Sequence, residues 1–153
     1  RVDSGAISRF TSALKAKLKH DKHIKTQRKD WPDSRHSTLR YAWVREYTKN
    51  RKRHYHLILC FHQDAYYHLG DYDLNRNTLR TMITTAWYSA LGIPIDSSGK
   101  LVNYPPNGKY LLNRKRDNFE QTYSDLMNRG DYMTKVRTKI VGDGDRNFGC
   151  SRG

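Results

Sequence analysis

Residues Ile7, Phe10, Leu14 and Leu18 recur at spacings of three and four, the period that lines one face of a helix. An amphipathic helix is predicted there, with Asp3 or Ser4 available as its cap. The charged stretch that follows is broken at Trp31-Pro32 and reads as a loop. The period then changes. "LRYAWVREY" (39–47) and "HYHLILCF" (54–61) are rich in aromatic and β-branched residues, which predicts two strands joined by the polar "TKNRKR" as an antiparallel hairpin. "GDYDLNRN" is turn-rich and leads into a second helix at about 77–91, with Leu79, Met82, Ile83, Ala86, Trp87, Ala90 and Leu91 on one stripe. Gly92 stops it, and Pro94 follows. "KLVNYPPNGKYLL" predicts a short strand and a Pro-Pro-Asn-Gly turn. A third helix starts near 116, with Phe119, Tyr123, Leu126 and Met127 as its apolar face, and resumes after Gly130. The tail, 142–153, reads as loop.

That order implies an α+β fold, a central antiparallel sheet covered by helices. A chain of 153 residues is most simply one domain. A strand before Ile7 would complete the sheet, with "RVDS" as its stump, and the opening on Arg1 rather than Met predicts a truncated N-terminus.

Charge changes the picture. Lys+Arg number 29 against 15 Asp+Glu, a formal +14. Such an excess builds a positive field whose usual partner is a polyanion, nucleic acid before membrane. The alternative is a basic but inert solvated surface. No apolar run approaches the 18 or so residues of a membrane span. Mean hydropathy is −0.96, yet 12% of residues are aromatic, which argues for a folded chain. Cys60 and Cys150 form no C-x-x-C pair and no disulfide framework, so a reducing compartment is expected, and no signal peptide is visible.

Candidate chemistry starts in the second strand. Alternation sends His54, His56, Ile58 and Cys60 to one face and Tyr55, Leu57, Leu59 and Phe61 to the other, the core face. If the hairpin closes through 47–53, Glu46 falls opposite or diagonal to His54 and His56. Two imidazoles and a carboxylate suit a divalent cation that also holds substrate oxygen. The spacing equally allows a plain reading, with Glu46 on an arginine of the turn and both histidines as polar strand residues. Downstream, Tyr132 and Lys135 stand at i and i+3, neighbours on a helix. A phenol, with a pKa near 10, is a poor nucleophile until cations offset the charge of attack. With 11 tyrosines in the chain, Tyr132 as a packing residue is the competing reading. Arg51, Lys52 and Arg53 at the turn, with Arg137 and Lys139 after Tyr132, are the candidate nucleic-acid contacts. Trp31, Tyr66 and Tyr67 are candidates for base stacking.

Glu46, H-Y-H-L-I-L and Y-M-T-K, in that order, resemble the HUH single-strand DNA endonucleases. More closely, "LRYAWVRE", "HYHLILCFHQDAYYHLGDY", "YMTKVRTK" and "GDGDRNFGCSR" are similar to the filamentous-phage (inovirus) gene II-type replication initiators, whose relatives also sit in prophages. The resemblance covers roughly residues 1–152. It implies a Rep-like sheet with the H-x-H on a middle strand and the tyrosine on a helix beside it. It also implies nicking and joining of single-stranded DNA through a 5′-phosphotyrosine, to start rolling-circle replication. By position, His54 and His56 match the ligands of Mn²⁺ or Mg²⁺, Tyr132 the nucleophile and Lys135 the Y-x-x-K lysine. Glu46 matches the third ligand, with His62 as its substitute. Two departures stand out: the apolar first-strand motif is missing or reduced to "RVD", and Tyr123 lies too far back to serve as a second nucleophile. The implied setting is the cytoplasm of a bacterium hosting the phage or prophage, with host replication proteins as further partners. The alternative is a non-catalytic basic module, origin-binding or repressor-like, on the same scaffold. A third possibility is a host-interaction fragment that recruits an acidic protein.

Overall fold

The computed structural model describes residues 3–28, 38–133 and 146–152. Among them the chain is α+β, with three helices and a three-stranded antiparallel sheet. In chain order they are α1 (Ala6–Thr26), β1 (Arg40–Tyr47), β2 (Arg53–Cys60), α2 (Leu79–Leu91), α3 (Phe119–Met133) and β3 (Phe148–Cys150). They divide into two compact units, residues 1–39 with 60–103, and residues 40–59 with 104–153. No described helix is long and apolar enough to cross a membrane.

The first unit is built on α1 against α2. The predicted stripes meet: Ile7, Phe10, Leu14 and Leu18 are buried, as are Leu79, Met82, Ile83, Ala86 and Ala90. Phe10 stands edge-on to Trp87 at 5.8 Å. Each buried Ile, Leu, Phe or Met among them contributes about 1.5–3 kcal/mol on leaving water. Gly5, rather than Asp3 or Ser4, is the N-cap of α1. The Asp3 carboxylate instead accepts from the Gly5 amide, so the opening residues make a turn. Thr78 caps α2 by accepting from the Thr81 amide, and Gly92 ends it in the left-handed region at φ 65°. The Ile93 amide then reaches back to the Tyr88 carbonyl, as in a Schellman closure.

One polar group sits inside this unit. Asp21 is 4% exposed. Its carboxylate accepts from Tyr66 Oη at 2.7 Å, Asn77 Nδ2 at 3.2 Å and Lys25 Nζ at 2.8 Å. Burial and this bond push the Tyr66 hydroxyl well above the usual phenol range, so it remains a donor. Tyr66 thus has a structural role through its hydroxyl. Asp21→Ala is expected to cost about 2 kcal/mol, because it removes the acceptor of the half-buried Tyr66 hydroxyl and one end of the Lys25 ion pair. Urea denaturation checks it; an unchanged midpoint would contradict the role.

Four expectations need correction. Residues 101–112 hold no strand: Pro105 and Pro106 lack the amides a ladder needs, and the Gly108 amide folds back onto the Pro105 carbonyl. The α3 helix runs unbroken through Gly130, starting at Phe119. On that helix Tyr123 and Met127 are exposed rather than buried. The tail is not all loop, since Phe148–Cys150 forms β3 against β1.

Candidate functional site

The second unit carries the candidate site on a hairpin. Its turn is closed by the Thr48 amide donating to the Lys52 carbonyl at 3.0 Å and the Arg51 amide to the Thr48 carbonyl at 2.8 Å. Arg51 takes the left-handed conformation, φ 58°. This closure sets the register, and register decides which side chains share a face. Trp43 of β1 meets Tyr55 of β2 edge-on at 5.7 Å on one face. On the other, Glu46 Oε2 lies 3.1 Å from His56 Nε2, and the His54 and His56 rings stand 4.8 Å apart.

The strand order is β2-β1-β3. Among the described strands β1 is therefore the middle one, and the His-bearing β2 lies at an edge, unlike the arrangement the resemblance implies. β3 holds the far side of β1 through Ala42↔Cys150, Trp43↔Gly149 and Val44↔Phe148. Arg45 fixes the entry to β3. Its backbone amide donates to the Asn147 carbonyl at 2.8 Å and its Nη2 to Asn147 Oδ1 at 3.0 Å. Its guanidinium lies over the Tyr47 ring at 5.1 Å, and the residue is 1% exposed. A buried arginine held by aromatic and amide contacts is structural, not a phosphate contact. Sequence reading missed Arg45, Asn147 and Gly149; an aromatic-glycine pair across strands was the available signal.

His54 is exposed at the start of β2, yet partial desolvation of its ring holds its imidazole below the usual histidine range. The His56 charge lowers it further, while the Glu46 carboxylate partly offsets both. The unfolded chain takes up this proton near pH 6.5 and the folded chain only below it. Stability linked to His54 is therefore present above about pH 6.5 and declines as pH falls below it. Glu46→Gln is expected to lower the His54 pKa further. Imidazole proton NMR across pH 4–8 reads it, and an upward shift would contradict the through-space coupling.

As to a metal, the donor types fit better than the assembly. Two ligands at adjacent corners of an octahedral ion, each about 2.1 Å away, stand about 3 Å apart. The Glu46–His56 contact matches that spacing; the carboxylate suits Mg²⁺ or Mn²⁺, while the imidazole is a ligand more typical of Zn²⁺, Fe²⁺ or Ni²⁺. Yet among the described residues no group of three or more His, Cys, Asp or Glu side chains is arranged to hold a metal ion. His62 belongs to the first unit, where its Nδ1 accepts from the Asp64 amide at 3.3 Å.

Tyr132 lies in the last turn of α3 and is 61% exposed. Arg51 and Lys52 are exposed at the hairpin turn, with Arg53 half-buried beside them. Lys135, Arg137, Lys139 and Trp31 fall outside the described residues. Cys60 and Cys150 are both free thiols at strand ends.

Residues 1–151 match the YagK/YfjJ C-terminal domain. The chain belongs to this family. It is 99% identical over 153 residues to the Escherichia coli K12 protein called "Uncharacterized protein YfjJ", covering all of this chain and 74% of that protein. It is 48% identical over 153 residues to "Uncharacterized protein YagK" of the same strain, covering 99% of this chain and 71% of that protein. No solved structure matches the chain. The hairpin, its Glu–His contact and the exposed α3 tyrosine thus describe a YagK/YfjJ C-terminal domain.

Proposed function

We propose that this chain is an HUH-type endonuclease, nicking and rejoining single-stranded DNA to start rolling-circle replication of a phage or mobile element. The observation that carries the reading is the contact of Glu46 with His56 beside His54, on one face of the β1–β2 hairpin. The Y-M-T-K segment supplies the reactive group that such a site would serve.

His54, His56 and Glu46 would hold Mn²⁺ or Mg²⁺, after a small movement of His54 and loss of the His56–Glu46 hydrogen bond. The bound ion supplies positive charge where the phosphate and the departing 3′-oxygen gain negative charge. The chain's own groups do the rest. His54, whose imidazole is held below the usual histidine range, offers a ring-nitrogen lone pair. Arg51 and Lys52 at the turn draw the phosphate backbone toward the hairpin. Tyr132 Oη forms a bond to phosphorus as the bond from phosphorus to the 3′-oxygen breaks. The phenolic proton ends on that oxygen, leaving a 5′-phosphotyrosine and a 3′-hydroxyl. One ester replaces another, so the reverse step rejoins the ends without ATP. Lys135 is assigned to positioning the phosphate. The substrate is single-stranded DNA, and the setting is the bacterial cytoplasm alongside host replication proteins.

A second reading, a non-catalytic basic DNA-binding module on this scaffold, is favoured by the lack of a three-donor group among the described residues. One experiment separates the two. The full chain is incubated with a random-sequence single-stranded pool and Mn²⁺, then run on a denaturing gel. A covalent protein–DNA band is expected, lost in EDTA and reduced at least about 100-fold in His56→Ala. DNA binding with no such band would establish the binding module instead.

A further inference from the structure

The second unit carries a feature on α3 that the nicking chemistry does not use. Phe119 and Tyr123, four residues apart on the helix, stack with ring centroids 5.9 Å apart and planes at 29°. Phe119 is half-buried, while Tyr123 is 46% exposed, and Met127 is exposed four residues further on. Tyr132 does not continue this face. It follows Tyr123 by nine residues, about two and a half turns at 3.6 residues each, and so stands on the opposite side of α3.

A basic turn comes directly before the aromatic pair. Asn113 builds it: its Oδ1 accepts from the Lys115 amide at 3.0 Å and its carbonyl from the Arg116 amide at 3.0 Å. The Phe119 amide then donates to the Arg116 carbonyl at 3.2 Å, which ties the turn to the first residue of α3. Arg114, Lys115 and Arg116 are all exposed. Cations ahead of a helix N-terminus oppose its dipole, and an exposed aromatic ring forgoes the gain of burial. Neither arrangement stabilises the fold.

Carboxylates of the unit do not cancel its charge. Among its described residues, 13 Lys and Arg stand against 5 Asp and Glu. Glu46 contacts His56, Asp125 accepts from Gln121 Nε2 at 2.8 Å, and Asp131 is engaged. Asp117 and Glu120 lie at the start of α3, the end where carboxylates are favourable. They leave residues 114–120 with a surplus of one positive charge.

We propose that the Arg114–Arg116 turn and the Phe119–Tyr123 stack together hold a single strand of DNA on the side of α3 away from Tyr132. The turn takes phosphates and the Tyr123 ring takes an unpaired base, the two parts from which sequence-tolerant single-strand sites are made. In a duplex the bases already stack on one another and offer Tyr123 no free face. The choice of DNA over RNA rests on the nicking reading; the surface itself needs neither the metal nor Tyr132.

The test is fluorescence anisotropy of the full chain with a labelled 20-nucleotide oligo(dT) in EDTA, titrated from 50 to 200 mM KCl. EDTA stops nicking, so this surface and the nicking site succeed or fail separately. Tyr123→Ala is expected to weaken binding about tenfold at every salt concentration. Tyr123→Phe keeps the ring and is expected to bind like the parent, whereas Tyr123→Leu loses most of what Tyr123→Ala loses. Arg114→Gln/Lys115→Gln/Arg116→Gln is expected to flatten the slope of log K against log salt by about 2, at about 0.7 for each phosphate contact. Lys19→Gln/Lys22→Gln/Arg28→Gln removes the same charge from exposed positions of the first unit and is expected to leave most of the slope. Urea midpoints equal to the parent's show that the variants fold. Parental affinity in Tyr123→Ala or Tyr123→Leu overturns the stacking role, the latter pointing to an apolar protein contact. An equal slope loss in the first-unit variant, an equal Tyr123→Ala effect on a blunt 20-base-pair duplex, or tighter binding of oligo(U) overturns the assignment to single-stranded DNA.

Discussion

Tyr132→Phe is expected to abolish the covalent adduct with single-stranded DNA while leaving DNA affinity within about twofold of the parent. The change removes one oxygen and keeps the ring. Tyr132 is mostly exposed in the last turn of α3, so the substitution disturbs little packing, and surface changes of that kind usually alter stability by no more than about 0.5 kcal/mol. Loss of the adduct then reports the missing nucleophile rather than a damaged fold. Tyr123 is the internal control. It lies nine residues earlier on the same helix, is also exposed, and stacks on Phe119 at 5.9 Å. Tyr123→Phe is expected to form adduct at the parental rate. Adduct persisting in Tyr132→Phe and vanishing in Tyr123→Phe would move the chemistry to the other tyrosine. Persistence in both would end the proposal that α3 carries the nucleophile.

Gly149→Ala is expected to lower stability by about 3 kcal/mol, at the upper end of the usual cost of overpacking. Gly149 faces Trp43 across the β1–β3 ladder. A Cβ built on it would run into Cε2, Nε1 and Cζ2 of the Trp43 indole. The ring has little room to retreat, because Trp43 is buried and already meets Tyr55 of β2 on the same face. Either the indole leaves its place or β3 leaves β1, and both outcomes expose buried aromatic surface. At a urea m-value of about 2 kcal/mol/M the midpoint falls by about 1.5 M. A parental midpoint would show that the tail strand is dispensable. Trp43→Leu combined with Gly149→Ala is expected to fall short of the summed single losses, because the clash disappears with the indole.

The helical parts of the fold were legible because local periodicity and capping act over a few residues. Ile7, Phe10, Leu14 and Leu18 announced the buried face of α1, and Gly92 announced the end of α2. The hairpin was legible for a similar reason: strand composition on both sides of a polar turn leaves few registers that keep Trp43 and Tyr55 together and Glu46 beside His56. Local signals misled where composition and context disagreed. "KLVNYPPNGKYLL" has strand-like residues, but its paired prolines cannot donate to a ladder. "NFGC" looks like tail, yet it pairs because Trp43 needs a neighbour without a side chain.

What the sequence determined by itself was the set of local decisions: helix faces, the hairpin, the positive charge, and the candidate donors His54, His56, Glu46 and Tyr132. Each depends on neighbours within one or two turns or across a short loop. Only the tertiary structure decided that residues 148–150 dock on β1 and that Arg45 is buried against Asn147. It also decided that Asp21 is an internal anchor for Tyr66 and Asn77. Those outcomes join residues 45 to 108 positions apart. Long-range contacts of this kind follow from packing and shape, which no local period encodes.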